Sequence, residues 1–316
     1  MITASRQLFG CIDVGTNSIK VVIADLADGK AEPVFEMSIG SRLGEGMSGQ
    51  QEQRQLQPIP MERTMDGLEE LCRAASEFHV ESLSCVGTSA LREASNGPVF
   101  VEEALRRLNL KVEIISGQEE ARLSFLAVSR DPVWRHHGNV CVIDVGGGST
   151  EVISGVAASN SIRSRTSIRI GAVRLTEQYL NSDPPSPAAV CRATEAARTE
   201  FLNAMAQPPA EEDLLVVGVG GTFSTLAAMT IGGIKDSARI HGYNLCADDL
   251  RSWINRLGDM TVSDRAALAG LDPKRADIIL GGAIVVDSAL SFAGSDRVGI
   301  CTRGLRWGVL YDRYCS

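Results

Sequence analysis

The chain has 316 residues, long enough for two domains with their own buried cores. A composition of 44% hydrophobic and 22% charged residues excludes an intrinsically disordered chain. The net charge of −8 excludes the broad basic coat of an unspecific nucleic-acid binder, so no nucleic-acid polymer is expected as a partner. The eight cysteines form no C-x-x-C pair and no zinc spacing, which predicts reduced thiols rather than a disulfide framework. Those at 11, 85, 141 and 301 lie in or beside apolar runs, where a thiol behaves as a small hydrophobe. No window reaches the roughly 18 unbroken apolar residues of a spanning helix. The longest apolar stretch, from Ile278, is interrupted by Asp287 and two glycines. With no charged-then-apolar leader pattern, the expectation is a cytoplasmic protein away from the membrane.

In chain order, short β-rich runs predict strands over 11–13, 21–25, 84–88, 111–115, 140–145, 151–154, 214–218 and 298–301. Apolar residues at three- and four-residue spacing predict helices over 65–78, 119–128, 187–205, 222–230, 248–260 and 276–292. Strands alternating with helices indicate an α/β fold containing parallel sheet. The segments 40–60, 182–187 and 207–210 are read as loops from their Gly, Gln and Pro content.

One repeat organises the rest. IDVGTNSIKVVI, from Ile12, is answered by IDVGGGSTEVIS, from Ile143. Asp13 aligns with Asp144, Gly15 with Gly146 and Ser18 with Ser149, while Lys20 stands opposite Glu151. Each copy reads as strand, Gly-rich turn, strand, unlike the strand-to-helix turn of a Rossmann or P-loop site. Glycines let a ligand approach the backbone and let amides point at an anion. Thr16, Asn17, Ser18, Gly146, Gly147, Gly148, Ser149 and Thr150 therefore become candidate phosphate donors, with ordinary tight turns as the alternative. Asp13 and Asp144, at strand ends, have the form of Mg²⁺ ligands or of turn caps, and Glu151 can join Asp144 at one ion. Lys20 faces phosphate or pairs with an acid. A third turn, VVGVGGTFSTLAAM from Val216, runs from strand into helix and offers a helix N-terminus to an anion.

In ISGQEEARLSFLAV, from Ile115, Ser116 and Glu119 fit a capping box, which gives Glu119 a structural task. Glu120 points about 100° away on the helix and is the better candidate for chemistry, with a solvated helix acid as the alternative. Arg92, in GTSALREASNG, can clamp phosphate with its planar fork or pair with a nearby acid. His136 and His137 are adjacent, a poor arrangement for chelating one ion.

Together these stretches resemble the exopolyphosphatase/guanosine pentaphosphate phosphohydrolase (Ppx/GppA) family. RLGEGM, IRIGAVRLTE, GLDPKRADIILGGA and TRGLRWGVLYD extend the likeness along nearly the whole chain. The resemblance implies the actin-like ATPase superfamily: two RNase H-like domains facing across a cleft, each with a phosphate hairpin. The expected division is 1–128 and 129–316, with the last helix able to pack back on the first domain. Glu120 then matches the family's catalytic glutamate and Arg92 its phosphate-contacting arginine. Asp13, Thr16, Asn17 and Ser18 resemble the first phosphate loop, Gly146 to Ser149 the second. Asp144 and Glu151 resemble the ligands of Mg²⁺ or another divalent cation.

The implied activity is hydrolysis of a terminal phosphoanhydride, on polyphosphate, on guanosine pentaphosphate of the stringent response, or on both. The alternatives are a non-catalytic actin-like scaffold and a small-molecule kinase of the same superfamily. The family is often dimeric, which implies a homodimer, although the sequence shows no interface. The chain ends at Ser316, which implies a short form without the HD-like helical domain of longer members. Gly281 stands where many members have proline, a departure expected to alter only a loop. A basic lining is expected from Lys20, Arg42, Arg92, Arg122, Arg303 and Arg306.

Overall fold

The predicted hairpins form in both halves of the chain. The structure, a computed structural model, describes residues 7–26, 31–47, 54–204 and 213–315. In the first half, β1 (Leu8–Val14) and β2 (Ile19–Asp25) pair antiparallel, and β3 (Glu32–Ile39) adds to β2. After α1 (Pro58–Glu77), β4 (Ser82–Gly87) returns parallel to β1. Then follow α2 (Ser89–Glu93), α3 (Gly97–Leu108), β5 (Glu113–Ile114) and α4 (Gly117–Arg130). The sheet order is β3-β2-β1-β4-β5.

The second half repeats this plan. β6 (Asn139–Val145), β7 (Thr150–Val156) and β8 (Ser161–Ile168) form the antiparallel meander, followed by α5 (Ala172–Tyr179) and α6 (Pro187–Ala204). Next come β9 (Leu215–Val219), α7 (Gly221–Thr230), α8 (Ser237–Ile240), β10 (Asn244–Cys246), α9 (Ala247–Gly258), α10 (Val262–Ala266), α11 (Ile279–Phe292) and β11 (Arg297–Cys301). Its order is β8-β7-β6-β9-β11-β10, with β6, β9 and β11 mutually parallel. From the meander inward, both sheets share the order third, second, first, fourth, the RNase H-like arrangement implied by the resemblance; the first then adds its fifth strand, and the second its sixth strand, β11, with the fifth, β10, at the edge. The final helix is α12 (Leu305–Tyr314).

Contacts divide the chain into residues 1–127 with 305–316, and residues 128–304. The first segment ends at Ala127, and α12 groups with the first unit although it lies beyond the second in sequence. In the first unit, the central strands are buried on both faces. Ile12, Val14, Val21 and Ile23 pack with Leu68, Leu71 and Phe100 of α1 and α3. Cys11, Val22 and Ala24 pack with Leu123 and Ala127 of α4 and with Leu305, Trp307 and Leu310 of α12. Alternating side chains on a strand address opposite faces, so each strand serves two apolar layers.

In the second unit the core gathers around α11, whose residues from Ile279 to Leu290 are all buried. This accounts for the longest apolar run in the sequence. Its one charge, Asp287, is met by Arg251 Nε at 3.2 Å and Arg198 Nη2 at 3.7 Å. Among the described residues no helix is long and apolar enough to cross a membrane. The Gly281 departure falls in the first turn of this helix and not in a loop. A methyl group on Gly281 would meet Ala172 O of α5 at 2.8 Å, so the small residue permits close helix packing.

The sequence reading missed β3, β8 and β10. β3 and β8 flank their meanders at sheet edges and are largely exposed, reading EPVFEMSI and SIRSRTSI without a continuous apolar signal. None of the eight cysteines forms a disulfide. The expected loop over 207–210 lies outside the described residues, as do 48–53 of the segment 40–60.

Candidate active site

The hairpins place their charged pairs in the same register. Asp13 pairs with Lys20 across β1 and β2, and Asp144 pairs with Glu151 across β6 and β7. Each turn closes alike: Gly15 N donates to Ser18 O at 3.2 Å, and Gly146 N donates to Ser149 O at 3.0 Å. Directly paired side chains share a face of the sheet, so each pair offers its two charges to one side. The first hairpin offers an anion and a cation, the second two carboxylates. Glu151 is only 1% exposed, and Ser167 Oγ donates to its Oε1 at 2.7 Å, fixing that carboxylate.

A buttress lies behind each turn. In the first unit, Arg42 N donates to Asn17 O and Gly44 N to Thr16 O, both at 2.9 Å. In the second, Ala172 N donates to Gly146 O at 3.0 Å, Val173 N to Gly147 O at 2.9 Å and Arg174 Nε to Gly148 O at 2.8 Å. A trans peptide sets its N–H opposite its C=O. The amides of Asn17, Ser18, Gly147, Gly148 and Ser149 are therefore turned away from the buttresses. This is the arrangement an anion cradle requires.

Both buttresses follow the third strand of their sheet, and both read Arg-x-Gly: Arg42-Leu43-Gly44 and Arg169-Ile170-Gly171. A Cβ on Gly44 would run into Thr16 Cγ2, and one on Gly171 would stand 2.5 Å from Gly147 O. The sequence carried this second repeat, but it becomes legible only once the turns it supports are known.

On the first unit, Glu120 and Arg92 are brought together. Glu120 lies in the first turn of α4 and is 8% exposed, so it is not a solvated helix acid. Arg92 Nη1 donates to Glu120 Oε2 at 2.9 Å and to Ile115 O at 3.0 Å. Both bonds use Nη1, so Nε and Nη2 have no hydrogen-bond partner among the described residues. Glu93, one residue on, is engaged by Ser89 and Arg54 instead. Glu119 behaves differently. Its amide donates to Ser116 Oγ at 3.1 Å, half of the capping box, while its carboxylate accepts from Arg122 Nε and Nη2 at 2.9 and 2.7 Å.

The expected basic lining is reduced by such pairs. Arg122 also meets Asp312 at 2.9 Å, and the flanking carboxylates push its pKa up. Arg306 bonds Val21 O at 2.6 Å and lies 3.6 Å from Glu36, while Arg303 lies 3.7 Å from Asp131.

The third Gly-rich turn meets the second hairpin. β9 is β6's neighbour, and a Cβ on Gly220 (φ +102°) would stand 3.0 Å from Asp144 Oδ1. Behind it lies a residue to which the sequence reading gave no role. The Arg275 guanidinium packs directly over Gly221, and its Nη2 lies 3.5 Å from Thr222 Oγ1. Burial pulls its pKa down, against the opposing influence of Asp272 and Asp277. A cation beside a helix N-terminus is electrostatically unfavourable unless an anion joins it. The signal available in the sequence was the motif GLDPKRADIILGGA itself. His136 takes a bond from Arg135 Nε at 3.0 Å. Neither it nor His137 belongs to the one Asp/His/Cys cluster among the described residues, Asp131–His241–Cys301.

Comparison with known proteins agrees with this architecture. The chain is 36% identical over 299 residues to Exopolyphosphatase 2 of Mycobacterium tuberculosis, covering 92% of this chain and 91% of the relative. The crystal structure of the Aquifex aeolicus Ppx/GppA family member superposes with a TM-score of 0.79 at 31% identity, covering 98% and 97% of the two chains. An exopolyphosphatase structure from Cytophaga hutchinsonii gives a TM-score of 0.85 at 27% identity, covering 96% and 97%. The sequence model of the Ppx/GppA phosphatase family matches residues 22–316. This chain is a member of the Ppx/GppA phosphatase family.

Proposed function

We propose that the protein hydrolyses the terminal phosphoanhydride of inorganic polyphosphate, releasing orthophosphate. The observation that carries this reading is the Glu120–Arg92 pair of the first unit, with Glu120 buried and Arg92 half-buried, in a chain whose two units each carry a hairpin turn with amides turned away from its buttress. The names of the relatives support polyphosphate over a phosphorylated hydroxyl acceptor. Guanosine pentaphosphate ends in the same anhydride and is the second substrate to test.

Phosphoryl transfer asks the protein mainly for alignment and charge stabilisation. The turn amides and the remaining Arg92 donors would bind equatorial phosphate oxygens. Glu120, oriented through Oε2 by Arg92, would position the attacking water and accept its proton. Such general-base help contributes about 10²- to 10⁴-fold. Asp144 and Glu151 suit Mg²⁺, because two side-by-side carboxylates form an all-oxygen donor set for a hard cation. Bound there, the ion would neutralise charge on the phosphate oxygens.

Orthophosphate release from long polyphosphate, short polyphosphate and guanosine pentaphosphate, each with Mg²⁺ varied, tests the reading. Mg²⁺-dependent release that Glu120→Gln abolishes is the expected result. Phosphate binding without turnover of any of the three would favour a scaffold, and transfer from ATP to a sugar hydroxyl a kinase.

A further inference from the structure

Asp131, His241 and Cys301 are far apart in sequence and meet within the second unit, each presenting one ligand atom within 4.8 Å of the others. His241 Nε2 lies 3.2 Å from Asp131 Oδ1, which also accepts from Val133 N at 2.9 Å. Thr302 N and Oγ1 both lie 3.3 Å from His241 Nδ1. The Cys301 thiol donates to Arg303 O at 3.2 Å. Asp131 is fully buried, yet its Oδ2 has no hydrogen-bond partner among the described residues, and Arg303 Nε stands off at 3.7 Å. Buried carboxylate oxygens are ordinarily hydrogen-bonded, so one met among the described residues only by an ion pair at 3.7 Å, beside an imidazole and a thiol, can take a cation at closer range.

From this cluster we infer a binding site for a borderline-soft divalent cation of the zinc class, ligated by Cys301 Sγ, His241 Nε2 and Asp131 carboxylate oxygen. The donor set of one sulfur, one imidazole nitrogen and one carboxylate oxygen suits Zn²⁺ or Co²⁺ and disfavours Mg²⁺. Ligand atoms around tetrahedral zinc stand roughly 3.5 Å apart. The Asp131–His241 pair is already near that spacing, and the remaining contraction is within reach of side-chain rotation. Three protein ligands leave a fourth position open. The His241 side chain, 19% exposed, provides the approach from solvent, while Trp134 packs on Gly299 behind the cluster.

The proton balance is simple. In the metal-free form Thr302 N donates to Nδ1, so Nε2 carries the imidazole proton toward Asp131. On binding, that proton is relocated to Nδ1, the Thr302 N–H bond to Nδ1 is given up, Thr302 Oγ1 accepts the new Nδ1–H, and Nε2 donates its lone pair to the cation. The Cys301 thiol loses its proton to solvent as the sulfur–metal bond forms. One proton is therefore released per cation. Because the thiol must lose its proton to bind, metal affinity should fall as pH is lowered.

This site is separate from the carboxylate pair. Cys301 and Asp144 are both in register with Val219, so they lie on one face of the sheet, two strands apart, about 10 Å by strand spacing.

The test is titration of the full-length protein with Co²⁺ alone, on a Cys191→Ser/Cys246→Ser background that removes the two exposed thiols. The expected result is a thiolate-to-cobalt charge-transfer band that saturates at one equivalent in the presence of excess Mg²⁺, with release of one proton, and is displaced by Zn²⁺ but not by Mg²⁺. Cys301→Ser should abolish the band. His241→Gln, at a partly exposed position that folding should tolerate, should weaken binding at least about tenfold. Absence of a charge-transfer band, or a band that survives Cys301→Ser, overturns the site and leaves the trio as a hydrogen-bonded network. A hard oxygen-only cobalt spectrum from Asp144 and Glu151 would count as absence of the band.

Discussion

The two hairpins share strand pairing, turn closure and an Arg-x-Gly buttress, yet differ where it matters electrically. Asp13 faces Lys20, whereas Asp144 faces Glu151. The first pair sums to about zero charge and needs no cation to be tolerated. In the second, two carboxylates stand side by side, one of them buried and accepting from Ser167 Oγ, so like charges share one face. The same backbone turn thus occurs twice, and a single facing position, Lys20 against Glu151, sets the charge of each pair.

The largest expected effect tests the proposed chemistry of the first unit. Glu120→Gln should lower kcat by at least about two decades while leaving the thermal midpoint nearly unchanged, since the amide oxygen still accepts from Arg92. Little change in kcat would remove the general-base role. Next, Glu151→Lys gives the second hairpin the charge pattern of the first. It should abolish the Mg²⁺ dependence of whatever activity remains, measured as phosphate release against metal concentration. A variant as responsive to Mg²⁺ as the parent would break the comparison.

The buttress is tested by Gly171→Ala, whose methyl must displace Gly147 O. A cost of about 1–3 kcal/mol in denaturant unfolding is expected, with a raised KM from the distorted turn. The smallest effect belongs to Glu119→Ala. Its pair with Arg122 is well exposed, so the loss should be below about 1 kcal/mol, with most activity kept. If Glu119→Ala abolishes turnover and Glu120→Gln does not, the two roles are reversed.

Much of this was legible in the sequence, for reasons that can be named. The hairpins announced themselves because a Gly-rich turn between apolar strands is a local signal, and its repetition is a stronger one. Glu120 separated from Glu119 through helix geometry and a cap. What stayed hidden depended on distance along the chain. Arg92 was read as a phosphate clamp or a partner of a neighbouring acid, and its partner proved to be Glu120. Arg275 reaches the third turn from a motif that reveals no role by itself, and the Asp131–His241–Cys301 trio has no spacing to read. Arg122 and Arg306 looked like a basic lining because sequence shows charges but not the acids that occupy them.

The placement of α12 sets an order of events during synthesis. The β1–β2 face carrying Cys11, Val22 and Ala24 is covered in part by Leu305, Trp307 and Leu310. That cover emerges from the ribosome only after all of residues 128–304. Domains generally fold as units while the chain emerges. The second unit can therefore reach its native state first, while the earlier-made one waits with an apolar surface bare, the interval in which a nascent chain most needs a chaperone.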